Sequence, residues 1–242
     1  MTTHSDSSRQ SVARQVLADD VYDHLMTGLI DGRLGAGAPL IIGELAQDFG
    51  VSQTPIREAL TRLELTGLVT RVAFKGYRVA PPFSLDDLRQ LSEARRVIEP
   101  ANAWIAAGNS APELCAALEG DISALERAPR GASFADFREY WEADERFHRR
   151  IAEHTGNRYL FRAYSAMGGQ LLRYRLFGGR GVTDFEPTRL EHRNILEAIS
   201  RGEPDHARET MDLHISNVWD RAVQDSRSAG LADFRATTNT IH

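Results

Sequence analysis

The 242-residue sequence predicts a mainly α protein in two parts: three helices with a short hairpin, then an all-α antiparallel helical bundle. Apolar residues recur at helical spacing through most of the chain. A short stretch with β character, residues 68–80, interrupts that pattern. The segment "APPFS" at 80–84 then places two prolines where one architecture gives way to the other.

The elements follow in order. A helix is predicted over 11–31 on the stripe Val16, Val21, Leu25 and Leu29, a short one over 42–49, and a third over 53–66. Two strands, "LVTRV" and "GYRVA", join through Ala73, Phe74 and Lys75. After the prolines come about six helices with short connections. Their starts are marked by Ser84, by Ser110 in "SAPE", by Ser133, by Asn157 after the stop Gly156, and by Pro187 and Pro204. Pro100 lies inside the first of them and should kink or split it. The predicted domains are therefore 11–80 and 84–225, with residues 1–10 and 226–242 as disordered tails.

Composition narrows the class. At 42% hydrophobic and 26% charged, the chain is ordinary for a soluble protein of two domains. No apolar run reaches the roughly 18 residues needed to span a bilayer, and "MTTHSDSSRQ" lacks the apolar core of a signal peptide. The expectation is a cytoplasmic protein with no membrane partner. Cys115 is the single cysteine, which excludes an internal disulfide and any multi-cysteine metal site. The net charge is −5, but it is segregated: residues 1–50 hold three Arg against seven acidic residues, and residues 51–80 hold four Arg and one Lys against two Glu.

That basic excess coincides with "GVSQTPIREALTRLELTGLVTR", residues 50–71. Leu45, Ala46 and Phe49 sit one turn before Gly50, and the helix after Ser52 aligns Ile56, Ala59, Leu60 and Leu63 on one face, with Arg57 and Arg62 off it. This is the spacing of a helix-turn-helix, whose second helix offers its first turn to the DNA major groove. Ser52, Gln53, Thr54 and Arg57 are the outward groups at the reading end, and Arg62 is a further candidate for DNA contact. The hairpin with Arg71, Lys75 and Arg78 supplies a wing. One recognition helix covers only a half-site, so a homodimer on a palindromic double-stranded DNA operator is expected.

Residues 14–80 resemble the winged helix-turn-helix of GntR-family transcription regulators, on the motif from Val51 to Val69. The resemblance implies that Arg57 reads a base, that Ser52 and Thr54 contact phosphate or groove, and that Lys75 and Gly76 form the wing tip. Gln53 stands where the family often has Arg, and Gly43 where some members carry another. Since Gln favours adenine and Arg favours guanine, this departure bears on the operator sequence.

In the second half, "EADERFHRRIAEHTG" places Asp144 and His148 on the stripe of Tyr140, Trp141, Phe147 and Ile151. His192 shares its stripe with Ile195, Leu196 and Ile199, and His214 lies among Ala207, Met211, Ile215 and Val218. An unpaired buried charge is costly, and four polar groups on apolar stripes call for a common partner. Three imidazoles and one carboxylate suit a divalent transition metal such as zinc, nickel or manganese. His24, His154 and His206 are less well placed.

Residues 84–222 are similar to the all-helical, metal-containing effector domain (FCD type) of the FadR subgroup, on Arg95 with Glu99, Asp144 with His148, Glu191-His192 through Ile199, and His214. The resemblance implies Asp144, His148, His192 and His214 as ligands, with two open positions for water or a small carboxylate. Arg95 would then clamp a small organic acid effector, with Arg96 as its neighbour and the alternative that Arg95 is structural and paired with a Glu. The leading reading is a repressor whose operator affinity responds to that acid. A purely structural metal and a metal-dependent hydrolase fused to a DNA-binding module are the alternatives. No "HExxH" or comparable arrangement supports the latter, and the chain is expected not to be an enzyme.

Overall fold

The computed structural model describes residues 4–73, 76–81, 84–131, 134–176 and 184–228. The chain divides into two compact units, one running to residue 82 and the other comprising most of the chain from residue 83 on.

The first unit contains α1 (His4–Ile30), β1 (Pro39–Leu40), α2 (Ile42–Asp48), α3 (Gln53–Leu65), β2 (Val69–Val72) and β3 (Gly76–Val79). α1 starts well before the expected residue 11, so residues 4–10 are helical rather than a disordered tail. Adding a residue to an existing helix is far easier than nucleating one, and no Gly or Pro stands in that stretch. The buried stripe of α1 is Ala18, Val21, Leu25 and Met26, whereas Val16 is exposed. α3 buries Ile56, Ala59, Leu60 and Leu63 completely and packs on α1 and α2.

The sheet order is β1-β3-β2, all antiparallel, with Leu40 opposite Tyr77 and Arg71 opposite Tyr77 on the other side. Sequence reading missed β1, because two residues carry no periodicity. Gly50, at φ 65°, makes the turn between α2 and α3. Gly76, at φ 87°, opens β3 where a Cβ would lie 3.3 Å from the Leu40 carbonyl oxygen, so both backbone conformation and space favour glycine.

The second unit contains α4 (Leu85–Gly108), α5 (Pro112–Arg127), α6 (Phe134–His154), α7 (Arg158–Leu176), α8 (Phe185–Ser200) and α9 (Pro204–Ser228). Ser84 forms a full capping box with Asp87. Asn157 accepts from the amides of Tyr159 and Leu160 at the start of α7. Ser110 does not cap α5; the cap position is Ala111, and Pro112 occupies the first turn. Ser133 lies outside the described residues.

α4 runs unbroken through Pro100, which neither splits it nor ends it. The proline is buried on the side of a helix that packs along α9, and that packing offsets the lost backbone hydrogen bond. The core joins Ala103, Ala106, Leu118, Ile122, Phe147, Ile195, Ile199, Met211 and Ile215, drawn from five helices. α9 continues to Ser228, beyond the expected limit at 225.

Candidate metal centre and nucleic-acid interface

In the first unit Ser52, Gln53, Thr54 and Arg57 are all exposed at the start of α3. The guanidinium of Arg57 donates through Nη2 to Gln53 Oε1 at 3.2 Å, so two groups able to read base edges lie side by side on the outer face. Gln53, Arg57 and Thr61 line a trough whose other wall is Arg71, Gly76 and Arg78 of the hairpin. Lys75 lies outside the described residues.

Arg62, the further candidate, does not line this trough. It donates to Asp19, and its guanidinium sits 4.2 Å from the Tyr22 ring centre. Five residues beyond Arg57 on the helix, it turns toward α1 and braces α3 against it.

In the second unit α6, α8 and α9 bring His148, His192 and His214 together. One nitrogen from each lies within 4.8 Å of the others, and all three residues are buried. Their rings are 4.9 to 5.2 Å apart centre to centre, and His192 also stacks on Phe147 at 4.2 Å. Asp144 stands beside them, 8% exposed, with Oδ1 3.5 Å from His192 Nε2.

The donor set fits a metal. The Nε2 atoms of His148 and His214 are buried and have no hydrogen-bond partner among the described residues. Burial, followed by the neighbouring imidazoles, pushes His214 well below the usual histidine range, so it is neutral at pH 7 and offers a lone pair. Borderline nitrogen donors with a nearby carboxylate select a divalent transition ion.

Both arginines expected at the effector differ from that expectation. Arg95 is buried and donates from Nε to Glu99 Oε1 at 2.5 Å; Glu99 Oε2 lies 2.6 Å from His148 Nδ1. It reaches the cluster through Glu99, which is the structural alternative for this residue. Burial would raise the Glu99 carboxyl, but Arg95 and His148 outweigh it and hold it at about 2. Arg96 is placed on the exposed side of α4. It lies half exposed and paired through Nε and Nη2 with Asp212 of α9, at 2.7 and 2.8 Å. The next residue on a helix is turned away by about 100°.

Several functional-looking groups escaped sequence reading. Glu191 lies 2.7 Å from His214 Nδ1, and Asn217 and Arg221 donate to the same carboxylate. Asn102, on the same face of α4 as Glu99, is buried with neither amide atom hydrogen-bonded among the described residues. Glu145 accepts from the Tyr164 hydroxyl at 3.0 Å, and burial raises its carboxyl to about 7. Each contact joins different helices or follows from local geometry that periodicity does not reveal. His24, His154 and His206 stay outside the cluster and face Asp20 O, Asn109 O and Glu203.

A winged helix-turn-helix followed by an all-helical domain is the architecture of a DNA-binding transcription regulator. The sequence comparisons agree: residues 17–79 match the bacterial regulatory proteins of the gntR family, and residues 90–217 match the FCD domain. The chain belongs to the GntR family of regulators, in the group that carries an FCD domain. It is 27% identical, over 87% of its length and 91% of the relative's, to a probable D-xylose utilization operon transcriptional repressor of Paenarthrobacter nicotinovorans. It is 24% identical, over 87% and 90%, to the HTH-type transcriptional repressor RspR of Escherichia coli. Among solved structures it is similar in fold to E. coli McbR/YncC, with a TM-score of 0.65, 21% identity, and 86% and 97% of the two chains covered. It is thus a DNA-binding transcription regulator and not an enzyme. No helix among the described residues is long and apolar enough to cross a membrane.

Proposed function

We propose that this regulator is a homodimeric repressor whose affinity for a palindromic operator is set by a small carboxylic acid bound at a divalent metal in the second unit. The observation that carries the reading is the convergence of three buried histidines from three helices, with ligand atoms within 4.8 Å of one another. His148, His192 and His214 would hold the ion together with Asp144. Zinc, nickel and manganese are the candidates, and the ion would supply a Lewis-acidic centre that attracts a carboxylate. The amide of Asn102, without a hydrogen-bond partner among the described residues, gives the interior a polar group that an acid could use. On the DNA side, Arg57 and Gln53 would read bases while Ser52, Thr54, Lys75 and Gly76 would meet groove or phosphate. That the two relatives are named as repressors, one of them as a probable repressor, supports the direction of control.

The test has two parts. Protein purified without chelator should carry about one transition-metal ion per chain by elemental analysis, and His192→Ala and His214→Ala should each lose most of it while His206→Ala does not. Small acids that raise the melting temperature should then change operator affinity about 5- to 150-fold, the range of ordinary allosteric coupling. Full metal content in both cluster variants would refute the site, and an operator affinity indifferent to every stabilising acid would refute the regulation.

A further inference from the structure

Two of the three clustered histidines share a second feature. His214 Nδ1 faces Glu191 Oε2 at 2.7 Å, and His148 Nδ1 faces Glu99 Oε2 at 2.6 Å. Each glutamate is in turn gripped by an arginine: Arg221 donates to both oxygens of Glu191 at 2.9 and 3.0 Å, and Arg95 donates to Glu99 Oε1 at 2.5 Å. The His214 imidazole is 1% exposed and its remaining nitrogen, Nε2, is unpartnered among the described residues, whereas neither nitrogen of the equally buried His148 meets a partner in hydrogen-bonding geometry there.

We propose that Glu191 is a positioning residue that fixes His214 as its Nδ1–H tautomer, leaving the Nε2 lone pair turned to the cluster before any ion arrives. This rests on the metal reading above. A neutral imidazole carries its proton on one nitrogen, and a carboxylate accepting from Nδ1–H decides which. Arg221 donates to both oxygens of Glu191 and holds the carboxylate in place against the imidazole.

The Glu191 arm is the more completely built. Asn217 Nδ2 adds a hydrogen bond to Oε1 at 2.9 Å, and Arg221 Nε also reaches Asp184 Oδ2, at the cap of α8, at 3.2 Å. α8 and α9 are therefore locked at the position where they present His192 and His214. The exposed pair His206–Glu203, at 3.1 Å, has the same chemistry with neither a clamp nor a cluster, and serves as the control.

Nitrogen–proton correlation NMR of the metal-free protein at neutral pH reads the tautomer directly. His214 should carry the proton on Nδ1, and Glu191→Ala should move it toward the Nε2–H form. By competition with a chromophoric chelator, Glu191→Ala should bind zinc about 10- to 100-fold more weakly, Glu191→Gln should fall between, and Glu203→Ala should match wild type. A proton on Nε2 of His214 in the wild type overturns the proposal, even if Glu191→Ala fails to fold. So does unchanged zinc affinity in a folded Glu191→Ala. A wild type that takes up no zinc fails the metal reading, and the positioning role with it; zinc bound equally well by wild type and Glu191→Ala fails the positioning role alone.

Discussion

The two units place their functional groups on opposite sides of the solvent boundary. In the first, Gln53, Arg57 and Arg71 are exposed and held by few contacts, as DNA reading requires. In the second, Arg95, Glu99, Asp144, His148, His192 and His214 are all buried. Exposed charge costs little to keep and contributes little to stability, whereas buried charge must be paired or neutralised. The same substitution of arginine by alanine should therefore act on binding in one unit and on folding in the other.

Arg95→Ala should show the largest effect. It leaves Glu99 buried beside His148 without its cation, and breaking such a pair by removing one partner costs about 3–5 kcal/mol. Denaturant unfolding of the full chain should show that loss in the second unit only. A loss under about 1 kcal/mol would mean that Glu99 is satisfied by other groups, and the contrast between units would weaken.

Arg57→Ala should leave stability within about 0.5 kcal/mol of wild type, as for exposed positions generally. It should weaken specific operator binding by about 1–3 kcal/mol and relax discrimination at one base pair. Titration against operator and random DNA separates the two effects. Equal loss on both would move Arg57 from base reading to phosphate contact.

Much of this contrast was legible in the sequence, and for a physical reason. The helix-turn-helix depends on local spacing, so Ile56, Ala59, Leu60 and Leu63 fixed the buried face of α3 and, with it, the outward side of Gln53 and Arg57. The histidine cluster was legible because His148, His192 and His214 each break an apolar stripe on a separate helix. What escaped were partners chosen by packing. Glu191 precedes a stripe histidine and was quoted for that, yet its contact with His214 joins helices 23 positions apart in sequence. Arg62 has the same side-chain chemistry as Arg57, and only the placement of α1 brings it to Asp19 and Tyr22.

Arg62 therefore gives a sharper test within one helix. Arg62→Ala removes an exposed ion pair and a cation–aromatic contact, which together contribute about 0.5–2 kcal/mol to the first unit. Specific and random DNA should then be affected alike, through stability, and base discrimination should stay as in wild type. Operator competition at matched folded fraction checks it. A base-specific defect would return Arg62 to the DNA-reading face.

Arg96→Ala should have the smallest effect, and comparing it with Arg95→Ala separates inside from outside on α4. Arg95 and Arg96 are adjacent, yet one is 5% exposed at the side chain and the other 49%. The bidentate pair of Arg96 with Asp212 joins α4 to α9, and Arg96 holds the Asp212 carboxyl below its ordinary value, but solvent screens the interaction. Its loss should cost less than about 1 kcal/mol and should diminish as salt is raised. Metal content and the operator's response to a stabilising acid should remain as in wild type, because the guanidinium pairs with Asp212 on the exposed side of α4 and α9. Measuring melting temperature, metal content and acid-dependent operator affinity on the one variant decides the matter. If Arg96→Ala kept its metal but lost the acid response, the acid would be read on the exposed α4–α9 face, and the buried cluster would be a structural centre rather than the sensor.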